Sequence, residues 1–94
     1  MDLKESDFTA PPKSVQNSLL YSLKRGENTY YLVKGGGRFK IFSDGKRVLL
    51  HFLSGGGYIK TPTGDISFAG GGKKEVTTDE FDIIGEINFI YYRV

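Results

Sequence analysis

The stretch "LVKGGGRFKIFSDGKRVLLHFLSGGGYIKTPTG", Leu32 to Gly64, decides the fold. Its apolar runs are short and rich in β-branched and aromatic residues. Each ends at Gly-Gly-Gly, at Asp-Gly or at Thr-Pro-Thr-Gly, the punctuation of strands joined by tight turns. Asp44-Gly45 is the strongest hairpin signal in the chain. Thr61-Pro62-Thr63-Gly64 reads as a turn with proline at its first central position.

Working outward, the sequence predicts strands over Thr29–Val33, Arg38–Ser43, Arg47–Leu53, Gly57–Thr61, Asp65–Ala69 and Phe81–Tyr92. In the last of these, Phe81, Ile83, Ile87, Phe89 and Tyr91 share one face, with Asp82, Glu86 and Asn88 on the other. Ile84 and Ile90 make that second face partly apolar, so part of it is expected to be covered too. Upstream, "PPKSVQNSLLYSLKRG" reads as one helix. Two prolines suit its first turn, Val15, Leu19, Leu20 and Leu23 form a stripe, and Gly26 suits its stop. Residues 1–10 read as a loose N-terminal arm. The expected fold is mainly β (α+β): one N-terminal helix, then a curled antiparallel sheet or half-open barrel of about six strands. Leu19, Leu23, Ile41, Leu50, Ile83, Ile87 and Phe89 are expected in its core.

The 94 residues, 38% hydrophobic and 14% aromatic, supply one domain spanning 1–94 with one core. There is no cysteine and a single histidine, so disulfides and thiolate sites are excluded, and neither a metal nor a cofactor is expected. No apolar run approaches the roughly 20 residues of a membrane span. The polar start "MDLKESDFTAPPK" lacks a signal-peptide core, so the expected setting is cytoplasmic, in a bacterial or phage-infected cell. Net charge is +2 but uneven: residues 1–50 hold nine Lys/Arg against five Asp/Glu, and residues 51–94 hold four against six. Such a chain can offer a basic face to an acidic partner or associate with itself.

Three groups of residues are functional candidates. The triplets Gly35, Gly36 and Gly37, Gly55, Gly56 and Gly57, and Gly70, Gly71 and Gly72 lie between predicted strands, where a phosphate loop would need a following helix. They read as corners and adaptable loops open to a partner, with "GGGKK" at 70–74 a loose anion nest. Arg38, Lys40 and Phe42 share a strand face, with Lys46 and Arg47 close by in sequence. Basic residues interleaved with aromatics are how small β-barrels hold single-stranded nucleic acid. His51 alternates with Leu49 and Leu53, and becomes catalytic only beside a nucleophile such as Ser18.

The segments "SDGKRVLLHF" and "DEFDIIGEINFIYYR" resemble the C-terminal domain of LexA-like and phage-repressor proteins, a self-cleaving peptidase fold. Gly85 and Arg93 match that family's closing segment, and "SDGKRVLLHF" matches its lysine hairpin. In "NSLLYSLKRGE", Ser18, Gly26 and Glu27 fall on the serine, glycine and acid of its nucleophile motif. His51 stands where the family has its lysine, and the Gly-Asp before the serine is missing. The resemblance therefore implies a non-cleaving domain that retains the family's dimerising role. The function expected is a small non-enzymatic interaction module that binds a protein partner or itself, as a phage-type modulator of a host factor would. The alternatives are a single-stranded nucleic-acid binder and a Ser18–His51 hydrolase.

Overall fold

The computed structural model describes residues 3–94, so the first two residues of the expected arm lie outside the described residues. Ten strands form: β1 Lys13–Val15, β2 Ser18–Arg25, β3 Asn28–Lys34, β4 Arg38–Phe42, β5 Val48–Phe52, β6 Gly56–Thr61, β7 Gly64–Ala69, β8 Lys73–Val76, β9 Glu80–Gly85 and β10 Asn88–Arg93. They make two antiparallel sheets, a six-stranded one in the order β1-β2-β3-β10-β5-β8 and a four-stranded one in the order β4-β9-β6-β7. The mainly β expectation holds. The single curled sheet is replaced by two sheets that share one core.

The expected helix is a strand hairpin. Gln16 and Asn17 adopt left-handed φ values of 52° and 63° and turn β1 back onto β2. Asparagine tolerates this region better than most residues, and two consecutive positive φ values match the twist of a tight hairpin. The helical stripe was ambiguous because Ser18, Leu20 and Ser22 alternate equally well with Leu19, Tyr21 and Leu23. Gly26 does adopt the left-handed conformation expected of a helix stop (φ 62°), but it serves the β2–β3 turn. Leu19 is consequently exposed and Leu23 half-buried, whereas Ile41, Leu50, Ile83, Ile87 and Phe89 are buried as expected. Among the described residues the only helical element is a 3-10 turn at Glu5–Asp7.

From β3 onward every connection passes from one sheet to the other, except the β6–β7 hairpin, where Pro62 takes the expected turn position. Asp44-Gly45 is therefore not a hairpin. Both residues are left-handed (φ 55° and 75°), but β4 and β5 lie in different sheets. Folding them apart sets Phe39 and Ile41 across the core from Val48, Leu50 and Phe52, which buries both faces against each other. The final predicted strand is likewise two, β9 and β10, broken at Glu86-Ile87. Its inward set (Phe81, Ile83, Ile87, Phe89, Tyr91) survives the break in one core. The break sits where β6 and β9 nearly touch. A Cβ on Gly57 would lie 2.0 Å from the Ile84 carbonyl oxygen, and one on Gly85 would lie 2.2 Å from that of Gly56.

Aromatic contacts knit the interior. Phe52 stacks on Phe68 across the sheets at 3.9 Å, and Phe39 meets Phe89 edge-on at 6.4 Å. The outer face of the six-stranded sheet carries a second apolar cluster, Leu32 and Ile90 beneath Leu3 and Phe8. This is the cover that the apolar Ile90 called for. Residues 3–10 are further held by ion pairs of Glu5 with Lys34 and of Asp7 with Arg25. The Glu5 hydrogen bond raises the Lys34 pKa above its ordinary value.

The outer edge of β4 is closed by side chains. The Gln16 carboxamide donates to the Lys40 carbonyl at 2.9 Å and accepts from the Lys40 amide at 2.8 Å, as a neighbouring strand would. Arg93 Nε donates to the Phe42 carbonyl at 2.9 Å.

Phe89→Ala should cost about 3–5 kcal/mol in urea unfolding, because it empties the point where both sheets meet. Burial pushes the Tyr91 hydroxyl up to about 12. The unfolded chain releases that proton near pH 10, so stability is full below pH 10 and falls as the pH climbs toward 12, by on the order of 2–3 kcal/mol. Tyr91→Phe should flatten that alkaline decline in equilibrium unfolding.

Candidate partner-binding site

The outer face of the six-stranded sheet is only partly covered by residues 3–10. Toward the β8 edge it opens into a pocket of about 370 Å³ lined by Leu49, Leu50, His51, Lys73, Lys74, Glu75 and Tyr92. Cross-strand register builds it: Tyr92 pairs with Leu49 and Leu49 with Glu75, while Ile90 pairs with His51 and His51 with Lys73. The side chains of one rung project to the same side of a sheet, so β10, β5 and β8 deliver them together. Tyr92 is fixed by a tilted ring contact with Tyr30, centroids 4.9 Å apart. Arg47 holds Glu75 at 2.9 Å.

The polar groups here are not all satisfied. His51 Nδ1 is buried and has no hydrogen-bond partner. A buried unpaired nitrogen normally costs about 1–3 kcal/mol, so His51 is held at this position at some cost in stability. Among the described residues, Lys73 and Lys74 enter no ion pair. The pocket thus presents an apolar floor flanked by His51 and the unpaired Lys73 ammonium, while Lys74, in register with the core residue Leu50, projects to the other side of the sheet. The volume lies at the lower end of the usual range for ligand pockets.

The basic face expected on β4 is organised differently. Arg38 pairs with the buried Asp82, and Lys40 lies 3.9 Å from Glu80. In register, Lys40, Asp82, Lys60 and Asp65 form one rung of alternating charge across the four-stranded sheet. Phe42 stands exposed beside it. Lys46 sits exposed in the β4–β5 connection, and Arg47 is engaged by Glu75. The structure therefore brings Arg38, Lys40 and Phe42 onto one face, but answers the two cations with the chain's own carboxylates.

Ser18 and His51 do not meet. Ser18 is buried and donates its hydroxyl to the Gly35 carbonyl at 2.9 Å. The glycine loop wraps this hydroxyl so closely that a Cβ on Gly36 would lie 2.1 Å from it. Three strand steps separate β2 from β5, about 14 Å at the usual spacing, and the two side chains face opposite sides of the sheet.

The three triplets stand at three of the crossings between sheets: Gly35, Gly36 and Gly37 between β3 and β4, Gly55 before β6 with Gly56 and Gly57 opening that strand, and Gly70, Gly71 and Gly72 between β7 and β8. Their backbones are largely committed. Gly35 donates to the Ile87 carbonyl at 3.0 Å, Gly71 to that of Phe52 at 2.7 Å, and Gly70 to that of Gly55 at 3.1 Å. The lysines of "GGGKK" belong to β8 rather than to a loop. Sequence reading missed Leu49, Glu75 and Tyr92 as site residues. The available signal was that apolar side chains occupy both faces of "VLLHF".

Among the described residues, no group of three or more His, Asp or Glu is placed to hold a metal, and no helix is long and apolar enough to cross a membrane. No family model matches the chain, and no curated protein matches it by sequence.

Ser18→Ala should remove one buried hydrogen bond, costing about 1 kcal/mol in urea unfolding. It should leave the His51 ring signals unchanged in the proton NMR spectrum, whereas a shared Ser18–His51 proton would shift them.

Proposed function

We propose that the protein is a small non-enzymatic interaction module that binds a partner protein through the His51 pocket. The observation that carries this reading is the coincidence of Lys73, free of internal carboxylates among the described residues, with His51 over the Leu49 and Tyr92 floor. That combination suits a segment with an apolar or aromatic side chain next to a carboxylate. The apolar group fills the pocket beside the His51 ring, and the carboxylate meets Lys73 at its rim. A nucleic-acid strand is served less well, because Arg38, Lys40 and Arg47 already hold carboxylates and have little net charge to offer phosphates.

Selection from a random displayed-peptide library should return sequences with Asp or Glu beside Phe, Trp or Leu. Amide shifts on adding such a peptide should map to β5, β8 and β10. Lys73→Glu should weaken binding by roughly tenfold or more, while Arg38→Ala and Phe42→Ala leave it unchanged. Shifts confined to β4, or tight salt-sensitive binding of single-stranded DNA lost in Arg38→Ala, would replace this reading with the nucleic-acid one.

A further inference from the structure

A sheet edge with free amides and carbonyls invites another strand, and proteins blunt such edges with charge, proline, short strands or covering groups. Two sheets give this fold four edges: β1 and β8 in one, β4 and β7 in the other. Three of them are guarded. β1 is three residues long and follows Pro11 and Pro12. β8 carries Lys73 and Lys74. β4 is closed by Gln16 and Arg93. β7 has none of these devices. It is six residues long, "GDISFA", with one charge, no lysine and no proline, and all but Phe68 are exposed.

The free groups of β7 can be assigned. The Gly70 amide points back to the Gly55 carbonyl next to β6. Backbone direction alternates along a strand, so Phe68, Ile66 and Gly64 turn toward β6, and Asp65, Ser67 and Ala69 turn their amides and carbonyls outward. Ile66, opposite the fully buried Ile59 on the core side of the sheet, remains 37% exposed. The apolar stripe Ile59–Ile66 therefore runs off the end of the sheet with nothing beyond it.

We propose that β7 pairs antiparallel with β7 of a second copy of this chain, joining two four-stranded sheets into one of eight strands. A two-fold axis normal to the sheet keeps core-facing residues on one side, so the register must centre on a residue. Centred on Ile66, it sets Ile66 against Ile66 of the second copy and Asp65 against Ser67. Asp65 and Ser67 are the residues whose backbone groups point outward, so this register makes the free hydrogen bonds. It also continues the apolar stripe as Ile59–Ile66–Ile66–Ile59 and places no like charges opposite each other. The strand is complementary to itself, which selects a second copy over an unrelated strand. The surface is separate from the His51 pocket, which lies on the other sheet.

Sedimentation equilibrium of the full chain at high micromolar concentration should give twice the 10.5 kDa chain mass. Ile66→Lys sets two lysines face to face and should weaken the dimer by roughly tenfold or more. Leu19→Lys, at an equally exposed leucine on the other sheet, should not. Because the chain has no cysteine, single-cysteine variants report the register directly. Ile66→Cys should crosslink to itself under mild oxidation far faster than Ser67→Cys, since directly opposed positions in a non-hydrogen-bonded pair lie about 4.5 Å apart at Cα. A monomer mass at every concentration overturns the proposal, as does a dimer indifferent to Ile66→Lys or faster crosslinking at Ser67→Cys. Peptide binding at the His51 pocket should persist in the Ile66→Lys monomer, so the two interactions stand or fall separately.

Discussion

The contact between Gly57 and Gly85 is the constraint on which the other features rest. Only glycine on both strands lets β6 and β9 come close enough for the chain to leave the four-stranded sheet there. The departure carries the last strand across the core and into the middle of the six-stranded sheet, between β3 and β5. Phe89 and Tyr91 then close the interior from one side, while Phe81 and Ile83, a few residues earlier in the same run, close it from the other. A bulkier residue at either position would push apart the two strands that hold the sheets in register.

Much of this was legible in the residues and some was not. Strand boundaries from β3 to β7 follow glycine and Thr-Pro-Thr-Gly, because turn chemistry is local and needs no partner. Which strands pair is not local. Asp44-Gly45 takes the left-handed backbone that its sequence promises, yet joins different sheets, since the turn fixes the reversal and the core fixes the neighbour. "SVQNSLLYSLKR" misleads for a related reason. A stripe at helical spacing coincides with strand alternation over so short a run, and Gln16-Asn17 tips the balance only through a backbone conformation that most residues disfavour. The site was less legible than the fold. His51 was visible as the one histidine, but its neighbours Tyr92, Lys73 and Glu75 come from strands that only the completed sheet brings together.

The two outer faces divide the remaining surface by chemistry. The four-stranded sheet presents alternating charges that answer one another along a rung, so its outer face is electrostatically self-sufficient. The six-stranded sheet presents apolar side chains, most of them packed with Leu3 and Phe8 and two, Leu49 and Tyr92, bordering the His51 pocket. Residues 3–10 thus act as a partial lining that defines where the open part begins.

The position of β10 bears on how the chain is made. Every other strand precedes it in the sequence, yet the larger sheet consists of two unconnected halves, β1-β2-β3 and β5-β8, until β10 lies between them. A chain emerging from the ribosome, at roughly 5–20 residues per second, cannot complete that sheet until its last strand is free of the exit tunnel. Gln16 can close the edge of β4 only once both sheets are in place. During vectorial synthesis the four-stranded sheet has all its strands before β10 is made, whereas the six-stranded sheet is completed only by β10.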